Sequence, residues 1–352
     1  MTEAQSTRDR IAESGHDITF DIGAPPAIPA KNPMPMEWSD GIPRHRQLWE
    51  KAEQQHYDPN ADIDWSALKR SDFSEDQRVA IAYWFATNSV FENSGTPTFG
   101  VGMIKSYEEH IGDATNKMLL TVARDEANHD EMSRRIVQEL LPGFPHKFSP
   151  SSELESAAHR NLQWIQYTNS KYWTAFKRAF DERRLLTLMS NFAVGEAAAS
   201  LIYMKTANGT EHPVLNNVLH NIGVDESRHF ACFNYMAQHS WGTLTDEEKQ
   251  TLAKNLKASY LYISVVFGDP KQPFWDLPDG FRPRHELFQQ IANDAGLGLL
   301  PQEERDELWR KAMLRVKAIG DRYGIPWPRI EELDIDGEDT PISEEDLVVV
   351  SF

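Results

Sequence analysis

The residues best suited to chemistry are two copies of a Glu-x-x-His motif, Glu126-Ala-Asn-His129 and Glu226-Ser-Arg-His229. On a helix, side chains three positions apart lie on one face, about one turn from each other, so both can reach the same metal ion. A single motif of this kind is weak evidence, because it also occurs on solvated helix surfaces. Two copies are informative if each lies on the buried face of its helix.

Apolar residues recur around both motifs in steps of three and four. They are Leu119, Val122 and Ala123 before the first motif, Leu215, Val218, Leu219 and Ile222 before the second, and Cys232, Phe233 and Met236 after the second. Such a stripe predicts which face of a helix is buried, and both motifs continue it. The spacing therefore directs both Glu-x-x-His pairs into the protein core.

Two more carboxylates pass the same test. Ile81, Phe85 and Asn88 lead at helical steps to Glu92, and Leu185, Leu188, Met189 and Phe192 lead to Glu196, with Ala199, Ser200 and Tyr203 after it. Four predicted helices thus each present a buried Glu to the core. Burying a carboxylate without a compensating partner is strongly unfavourable, and a metal ion compensates it best.

The combined set of four carboxylates and two imidazoles suits iron or manganese, and four negative charges balance two divalent ions. We therefore predict a centre of two metal ions that binds O2 between them. Two irons are expected, with manganese as the alternative in one position. The predicted ligands are Glu92, Glu126, His129, Glu196, Glu226 and His229.

Capping residues and helix breakers predict where the ligand-bearing helices begin and end. Ser74 and Gln77 form a capping box that opens the first helix, which we expect to end near Glu92 because Gly95 and Pro97 follow. Further helices are predicted over 113–141, 152–180, 181–208, 211–240, 245–268, 284–295 and 302–320.

A Glu on each of two helices and a Glu-x-x-His on each of two others is the arrangement of the di-iron carboxylate bundles. Over about residues 74–240 the chain resembles the ferritin-like superfamily. Within it, the chain is similar to the oxygen-activating branch of bacterial monooxygenase hydroxylases, acyl-carrier-protein desaturases, arylamine N-oxygenases and ribonucleotide reductase small subunits. The resemblance implies an all-α fold built on a ferritin-like four-helix bundle.

Outside the bundle, the sequence predicts additional helices and an extended N-terminal arm that is rich in proline. We expect the arm to occupy 1–45, the helical di-iron domain 46–325, and an acidic tail 326–352.

Both motifs extend to Asp-Glu-x-x-His, and Asp225-Glu-Ser-Arg-His229 is similar to a signature of monooxygenase hydroxylases and desaturases. In those families the Asp accepts a hydrogen bond from the far nitrogen of a ligand histidine, which fixes the orientation and tautomer of the ring. The resemblance implies this role for Asp125 and Asp225, with Arg228 as their charge partner.

A hydroxyl in the oxygen pocket is a further feature that the resemblance implies. Monooxygenase hydroxylases carry a Thr one turn after the third Glu, and Ser200 has the same offset from Glu196. We expect Ser200 to donate a hydrogen bond or relay protons there. The alternative is an ordinary helical Ser that bonds to a backbone carbonyl.

The activity implied by the resemblance is that of a non-heme di-iron oxidase or oxygenase. Such an enzyme uses O2 and an external electron donor, a ferredoxin or a reductase, to hydroxylate, N-oxygenate or desaturate a small organic or carrier-bound substrate. The pattern does not separate these three reactions. Arylamine N-oxygenases carry a seventh ligand, a His, one turn before the last Glu, where this chain has Ile222.

Two alternatives to this activity stay open. A radical protein similar to the ribonucleotide reductase small subunit is favoured by the acidic tail ending in Phe352, although its radical Tyr would fall on Ser133. A ferroxidase or iron-storage protein uses the same fold. Residues 241–352 follow the bundle, however, and a storage subunit does not need them.

Composition narrows the class of partner. The net charge of −18 argues against nucleic acid as a partner, since phosphates select basic surfaces. Cys232 is the single cysteine, which excludes an intramolecular disulfide and a cysteine-based metal site. No apolar run approaches the roughly 18 to 20 residues that span a bilayer, and no secretory signal is visible. We expect a cytoplasmic homodimer without membrane contact.

Overall fold

The structure, a computed structural model, describes residues 38–182, 184–267 and 277–341, together with the isolated positions Glu13 and Pro26. Of 171–182 it describes the backbone helix alone.

The described residues form α-helices joined by short turns. In chain order they are α1 (Pro43–Gln54), α2 (Glu75–Glu108), α3 (Asp113–Leu140), α4 (Glu153–Glu182), α5 (Leu185–Ser190), α6 (Phe192–Gly209), α7 (Pro213–Ser240), α8 (Asp246–Ile263), α9 (Phe281–Asp294) and α10 (Gln302–Tyr323). Short 3-10 helices cover Trp65–Ala67, Arg70–Asp72, Trp241–Thr243, Ser264–Phe267 and Glu331–Leu333. Within this described part there is no β-strand, only isolated bridges at Pro328–Glu338 and Ile330–Ile335. The predicted all-α fold is confirmed.

Four long helices form the central bundle. Helix α2 packs along α3, and α6 packs along α7, more extensively than any other pairs, and α3 also contacts α7. The other helices cover this bundle: α4 and α9 pack on α2, α10 packs on α6, and α1 lies across α3 and α7. The predicted capping box at Ser74 is formed and opens α2, and a second capping box at Thr245 opens α8. The core therefore runs along the centre of the four long helices.

Helix α2 is longer than predicted. Gly95 and Pro97 do not end it, and it continues to Glu108 with Pro97 inside. Within a helix Gly costs about 1 kcal/mol and Pro about 3 kcal/mol relative to Ala, because Gly is flexible and Pro lacks an N–H. Tertiary packing offsets this cost, since Phe99 and Gly102 beyond the proline are buried against the bundle.

The predicted fourth helix is divided into two. It was expected to begin at Asp181, but α5 begins at Leu185, and a turn at Asn191 separates it from α6. The predicted sixth helix also ends earlier, with Ile263 closing α8 and a 3-10 turn following to Phe267. Its expected end at 268 lies outside the described residues.

The two terminal segments differ from their predicted boundaries. Helix α1 begins at Pro43, inside the predicted arm, most of which lies outside the described residues. At the other end, Ile330, Leu333 and Ile335 are buried, so the first part of the predicted tail packs on the body. The apolar side chains there explain the difference, because they gain more from burial than from exposure on a free tail. Residues 342–352 lie outside the described part.

One segment passes a length and composition test for a membrane span, contrary to the sequence prediction. It is Leu185–Gly209, which covers α5 and α6. In the structure 89% of its most apolar 18-residue stretch is buried inside the protein. Helices α5 and α6 are therefore core helices, and their apolar character reflects their place at the centre of the bundle.

Candidate metal centre

The six predicted ligand residues meet at the centre of the bundle. Glu92 comes from α2, Glu126 and His129 from α3, Glu196 from α6, and Glu226 and His229 from α7. None of the six is more than 7% exposed, and both histidines are fully buried. The helical periodicity that placed each residue on a buried face is therefore correct for all four helices.

The donor atoms form two overlapping groups. In the first group, Glu92, Glu126, His129 and Glu226 place their donor atoms within 4.8 Å of one another. In the second group, Glu126, Glu196, Glu226 and His229 do the same. Two residues, Glu126 and Glu226, occur in both groups. This arrangement provides two adjacent cation sites joined by two shared carboxylates.

Distances within the groups show that the imidazoles face the carboxylates with their Nδ1 atoms. His129 Nδ1 lies 3.3 Å from Glu92 Oε2 and 3.5 Å from Glu226 Oε1. His229 Nδ1 lies 3.3 Å from Glu126 Oε1 and 3.4 Å from Glu226 Oε2. The two oxygens of Glu226 thus face different histidines, as a carboxylate bridging two ions requires.

The far nitrogens of both histidines contact the two predicted aspartates in a crossed pattern. His129 Nε2 lies 3.2 Å from Asp225 Oδ2, and His229 Nε2 lies 3.4 Å from Asp125 Oδ2. Each motif therefore supplies the aspartate for the histidine of the other motif. A carboxylate behind the ring fixes the imidazole tautomer and leaves Nδ1 free to bind a metal ion.

A buried arginine joins the two aspartates. Arg228, 2% exposed, donates from Nη2 to Asp125 Oδ2 at 3.1 Å and also to Asp225, while Nη1 donates to Gln55 at 3.1 Å. Arg124 donates to Asp125 from the side nearer the surface, at 3.1 Å. These charges surround the carboxylates with cations, which makes their burial tolerable.

Two residues that contact each other near Glu92, Tyr203 and Asn88, are not among the predicted ligands. The Tyr203 hydroxyl donates to Glu92 Oε1 at 3.1 Å and also to Asn88 Oδ1. Asn88 in turn donates to Ser133 Oγ at 3.1 Å. Both residues lie on the predicted buried stripes, so periodicity signalled their burial. It could not signal which side chain of another helix each would meet.

Charge at the centre is distributed unevenly among the carboxyls. Burial raises the pKa of Glu126 and of Glu196 well above the ordinary value, and the nearby charge of Glu226 adds to both shifts. Burial also opposes ionisation of Glu226, but its close contacts with Glu196, His129 and His229 hold its pKa well below the ordinary value. Without cations, protons must therefore neutralise part of the site, and metal binding would release them.

The pKa of Asp125 is shifted in the opposite direction to those of Glu126 and Glu196. Burial alone would raise the pKa of Asp125, but the hydrogen bond with His229 and the charge of Arg228 lower it to about 2. Asp125 therefore stays ionised behind His229.

The residues present fit a pair of divalent cations. His229 Nδ1 is buried and has no hydrogen-bond partner among the described residues, although it faces three carboxylates. A buried nitrogen left in this state is unfavourable unless something binds it. The donor set of carboxylate oxygens and imidazole nitrogens is one that iron and manganese accept.

Ser200 lies at the edge of the site and not among the donors. Its hydroxyl donates to the Ala197 carbonyl at 3.0 Å, which is the helical bond expected of an ordinary Ser. The residue also lines a cavity of about 740 Å³ between α6, α7 and α10, with Ser227, the neighbour of Glu226, on its wall. Its predicted role in an oxygen pocket stays a prediction.

Comparison with known proteins gives a structural result only. No family model and no curated protein matches the chain. Among solved structures, a variant of an R2-like ligand-binding oxidase with an aerobically reconstituted Mn/Fe cofactor aligns with a TM-score of 0.50 and 18% identity, covering 78% of this chain and 93% of that chain. An R2-like ligand-binding oxidase with a metal cofactor after photoconversion aligns with a TM-score of 0.48 and 16% identity over 79% and 92%.

At these identities the comparison establishes the fold and nothing further. The carboxylate–histidine cluster rests on the geometry of this chain. Together they give the chain the helical fold of these neighbours and a buried cluster of four carboxylates and two imidazoles.

Proposed function

We propose that the chain is an O2-dependent oxidase whose cluster holds two metal ions. The observation that carries this proposal is the pair of overlapping donor groups that share Glu126 and Glu226. We propose iron in both positions, with manganese and iron as the alternative, because this donor set accepts either metal and because the R2-like neighbours carry Mn/Fe. Two such ions held side by side supply the electrons that reduce O2 and the oxidising power that attacks a substrate.

The residues of the chain orient the centre and exclude water from it. Asp125 and Asp225 fix the two imidazoles, and Arg228 holds the two aspartates at a set separation. The burial of all six donors keeps bulk water out, which protects a reactive site from side reactions. Glu126 and Glu196, with raised pKa values, are groups that release protons when cations bind.

We propose that the substrate is a small organic molecule, free or carrier-bound, that approaches from the Ser200 cavity. Ser200 and Ser227 bring this cavity next to the helix turns that carry Glu196 and Glu226. A larger cavity of about 890 Å³ lies between α2, α3 and α4. Its wall includes Ser89, Asn93 and Arg134, which all bind Asp130. We place the substrate in the smaller cavity because Ser200, one helical turn after Glu196, lines it.

The reaction proposed is hydroxylation, N-oxygenation or desaturation, with electrons from a ferredoxin or a reductase. A cytoplasmic homodimer is part of the same proposal. A radical protein of the ribonucleotide reductase type is not favoured, since Ser133, the position of its radical Tyr, is a buried serine bonded to Asn88. The R2-like neighbours are oxidases, which favours an oxidase over an iron store.

The test is a metal titration followed by exposure to O2. Purified protein titrated with ferrous iron without oxygen should bind about two irons per chain, and O2 added afterwards should be consumed. A protein that binds no iron, or one, after careful reconstitution contradicts the proposal. Excess ferrous iron in air separates the two classes: an oxidase keeps its two irons, whereas a storage protein assembles a cage and mineralises hundreds.

A further inference from the structure

Glycine at position 95 stands where a side chain would enter the metal centre. Gly95 lies inside α2, less than one turn after Glu92. A Cβ atom built on it would lie 2.5 Å from Glu126 Oε2, 2.8 Å from its Cδ and 2.9 Å from its Cγ. Real Cβ atoms do not approach other heavy atoms this closely. A side chain at position 95 would therefore require the Glu126 carboxylate to move from its place against α2.

The carboxylate that rests on Gly95 is one that both donor groups share. Its other oxygen, Oε1, faces His229 of the second group at 3.3 Å, while Oε2 faces α2, the helix that supplies Glu92 of the first group. Glu126 is 5% exposed, so a displaced carboxylate would have to move within the core. Displacing Oε2 would thus disturb the half of the centre around Glu92 and His129 first.

We propose that Gly95 is a positioning residue of the metal centre, which lets Glu126 lie against α2 and reach both cation sites. This inference rests on the proposed two-metal function. It also accounts for a glycine at this point of the helix, since glycine weakens a helix unless close approach requires it.

The same helix offers a matched control. Gly100 lies five residues further along α2, and a Cβ atom built there meets nothing within 4 Å. Gly100→Ala should strengthen the helix and leave the centre unchanged. Gly95→Ala should strengthen the helix equally but force Glu126 to move, so the two variants separate helix propensity from crowding.

The experiment titrates the protein and both variants with ferrous iron without oxygen, and measures iron per chain and affinity. We expect the parent and Gly100→Ala to bind two irons. Gly95→Ala should bind the less tightly held iron about 10- to 100-fold more weakly, the usual size of effects from residues that orient ligands. Two irons bound by Gly95→Ala with parental affinity would overturn the inference. A parent that binds no iron would instead overturn the proposed function.

A second measurement needs no metal. The clash involves the Glu126 side chain, so Glu126→Ala should remove it. In metal-free protein, Gly95→Ala should raise Tm by about 2 °C in the Glu126→Ala background, as Gly100→Ala does, but lower or leave it unchanged in the parent. Equal shifts of Tm in the two backgrounds would show that Gly95 does not contact Glu126 and would overturn the proposal even if iron binding changed.

Discussion

The two halves of the metal centre use the same residue types but are held in different ways. Around Glu92, the Tyr203 hydroxyl and Asn88 form a buried hydrogen-bonded chain on the carboxylate. Around Glu196, the carboxylate is instead hydrogen-bonded to Glu226, and Ser200 one turn away lines a cavity. One half is thus fixed by protein groups, and the other borders a space that a molecule could enter.

The two Glu-x-x-His motifs also differ from each other. The third position of the second motif is Arg228, which joins both aspartates, whereas the first motif has Asn128 there. The arginine from α7 therefore serves both halves. A motif repeated with two substitutions, Ala127 to Ser227 and Asn128 to Arg228, thus produces a centre with one half held by protein groups and one half beside a cavity. We expect metal retention to depend chiefly on the Glu92 half and substrate chemistry on the Glu196 half.

The largest effect on iron content is expected when a ligand shared by both donor groups is removed. Glu226→Ala removes a donor from both groups, so we expect the loss of both irons, whereas Glu196→Ala removes a donor from one group and should leave one iron. Iron per chain after anaerobic reconstitution and desalting measures the difference. One iron retained by both variants would mean that Glu226 does not bridge.

The second effect concerns the arginine that joins the halves. Arg228→Met removes a buried cation and leaves Asp125 and Asp225 facing each other, so the free energy of unfolding should fall by about 3 kcal/mol. Arg124→Met is the control, because Arg124 is partly exposed, with 31% of its side chain accessible, and should cost at most about 1 kcal/mol. Urea unfolding of metal-free protein gives both values. Equal losses of unfolding free energy in the two variants would show that the burial of Arg228 adds nothing to its contribution.

The third effect tests the crossed pairing. Asp225→Asn should loosen His129, and Asp125→Asn should loosen His229, each weakening iron affinity by about 10- to 100-fold. If the pairing is crossed, Asp225→Asn combined with His129→Ala should lose little more affinity than His129→Ala alone, since the two residues act in one unit. Stepwise ferrous iron titration provides the affinities. An additive loss in that pair, with no additivity between Asp225 and His229, would reverse the assignment.

The smallest effects are expected when the hydroxyl of Tyr203 or of Ser200 is removed. Tyr203→Phe leaves Glu92 and Asn88 without a buried donor and should cost about 1 to 3 kcal/mol of stability while both irons stay bound. Ser200→Ala removes only a hydroxyl bonded to the Ala197 carbonyl, so stability should change by at most about 0.5 kcal/mol. Its expected effect is on the rate of O2 consumption by the reconstituted protein. A loss of iron from Ser200→Ala would place that residue closer to the metals than its contacts indicate.

Much of the centre could be predicted from the sequence because the information is local. The spacing of apolar residues placed Glu92, Glu126, Glu196 and Glu226 on buried helix faces, and the i, i+3 offset placed each histidine beside its glutamate. Helix starts followed from capping residues such as Ser74, whose hydroxyl satisfies a backbone N–H.

Other features depend on which helix lies beside which. The continuity of α2 through Gly95 and Pro97 arises from packing on both sides of the break, which outweighs the local preference to end the helix. The burial of Ile330 and its neighbours in the predicted tail likewise depends on contact with the body. Local propensity contains neither piece of information.

The composition of the ligand set was thus determined by the sequence, whereas its connections were decided by the tertiary structure. Periodicity states that a residue faces inward, but not which residue of another helix it meets. The sharing of Glu126 and Glu226, the crossing of Asp125 and Asp225, and the contact of Glu126 with Gly95 each join residues far apart in the chain. Such pairings are fixed by the relative position of helices along and around their axes, which only the packing of complete side chains determines.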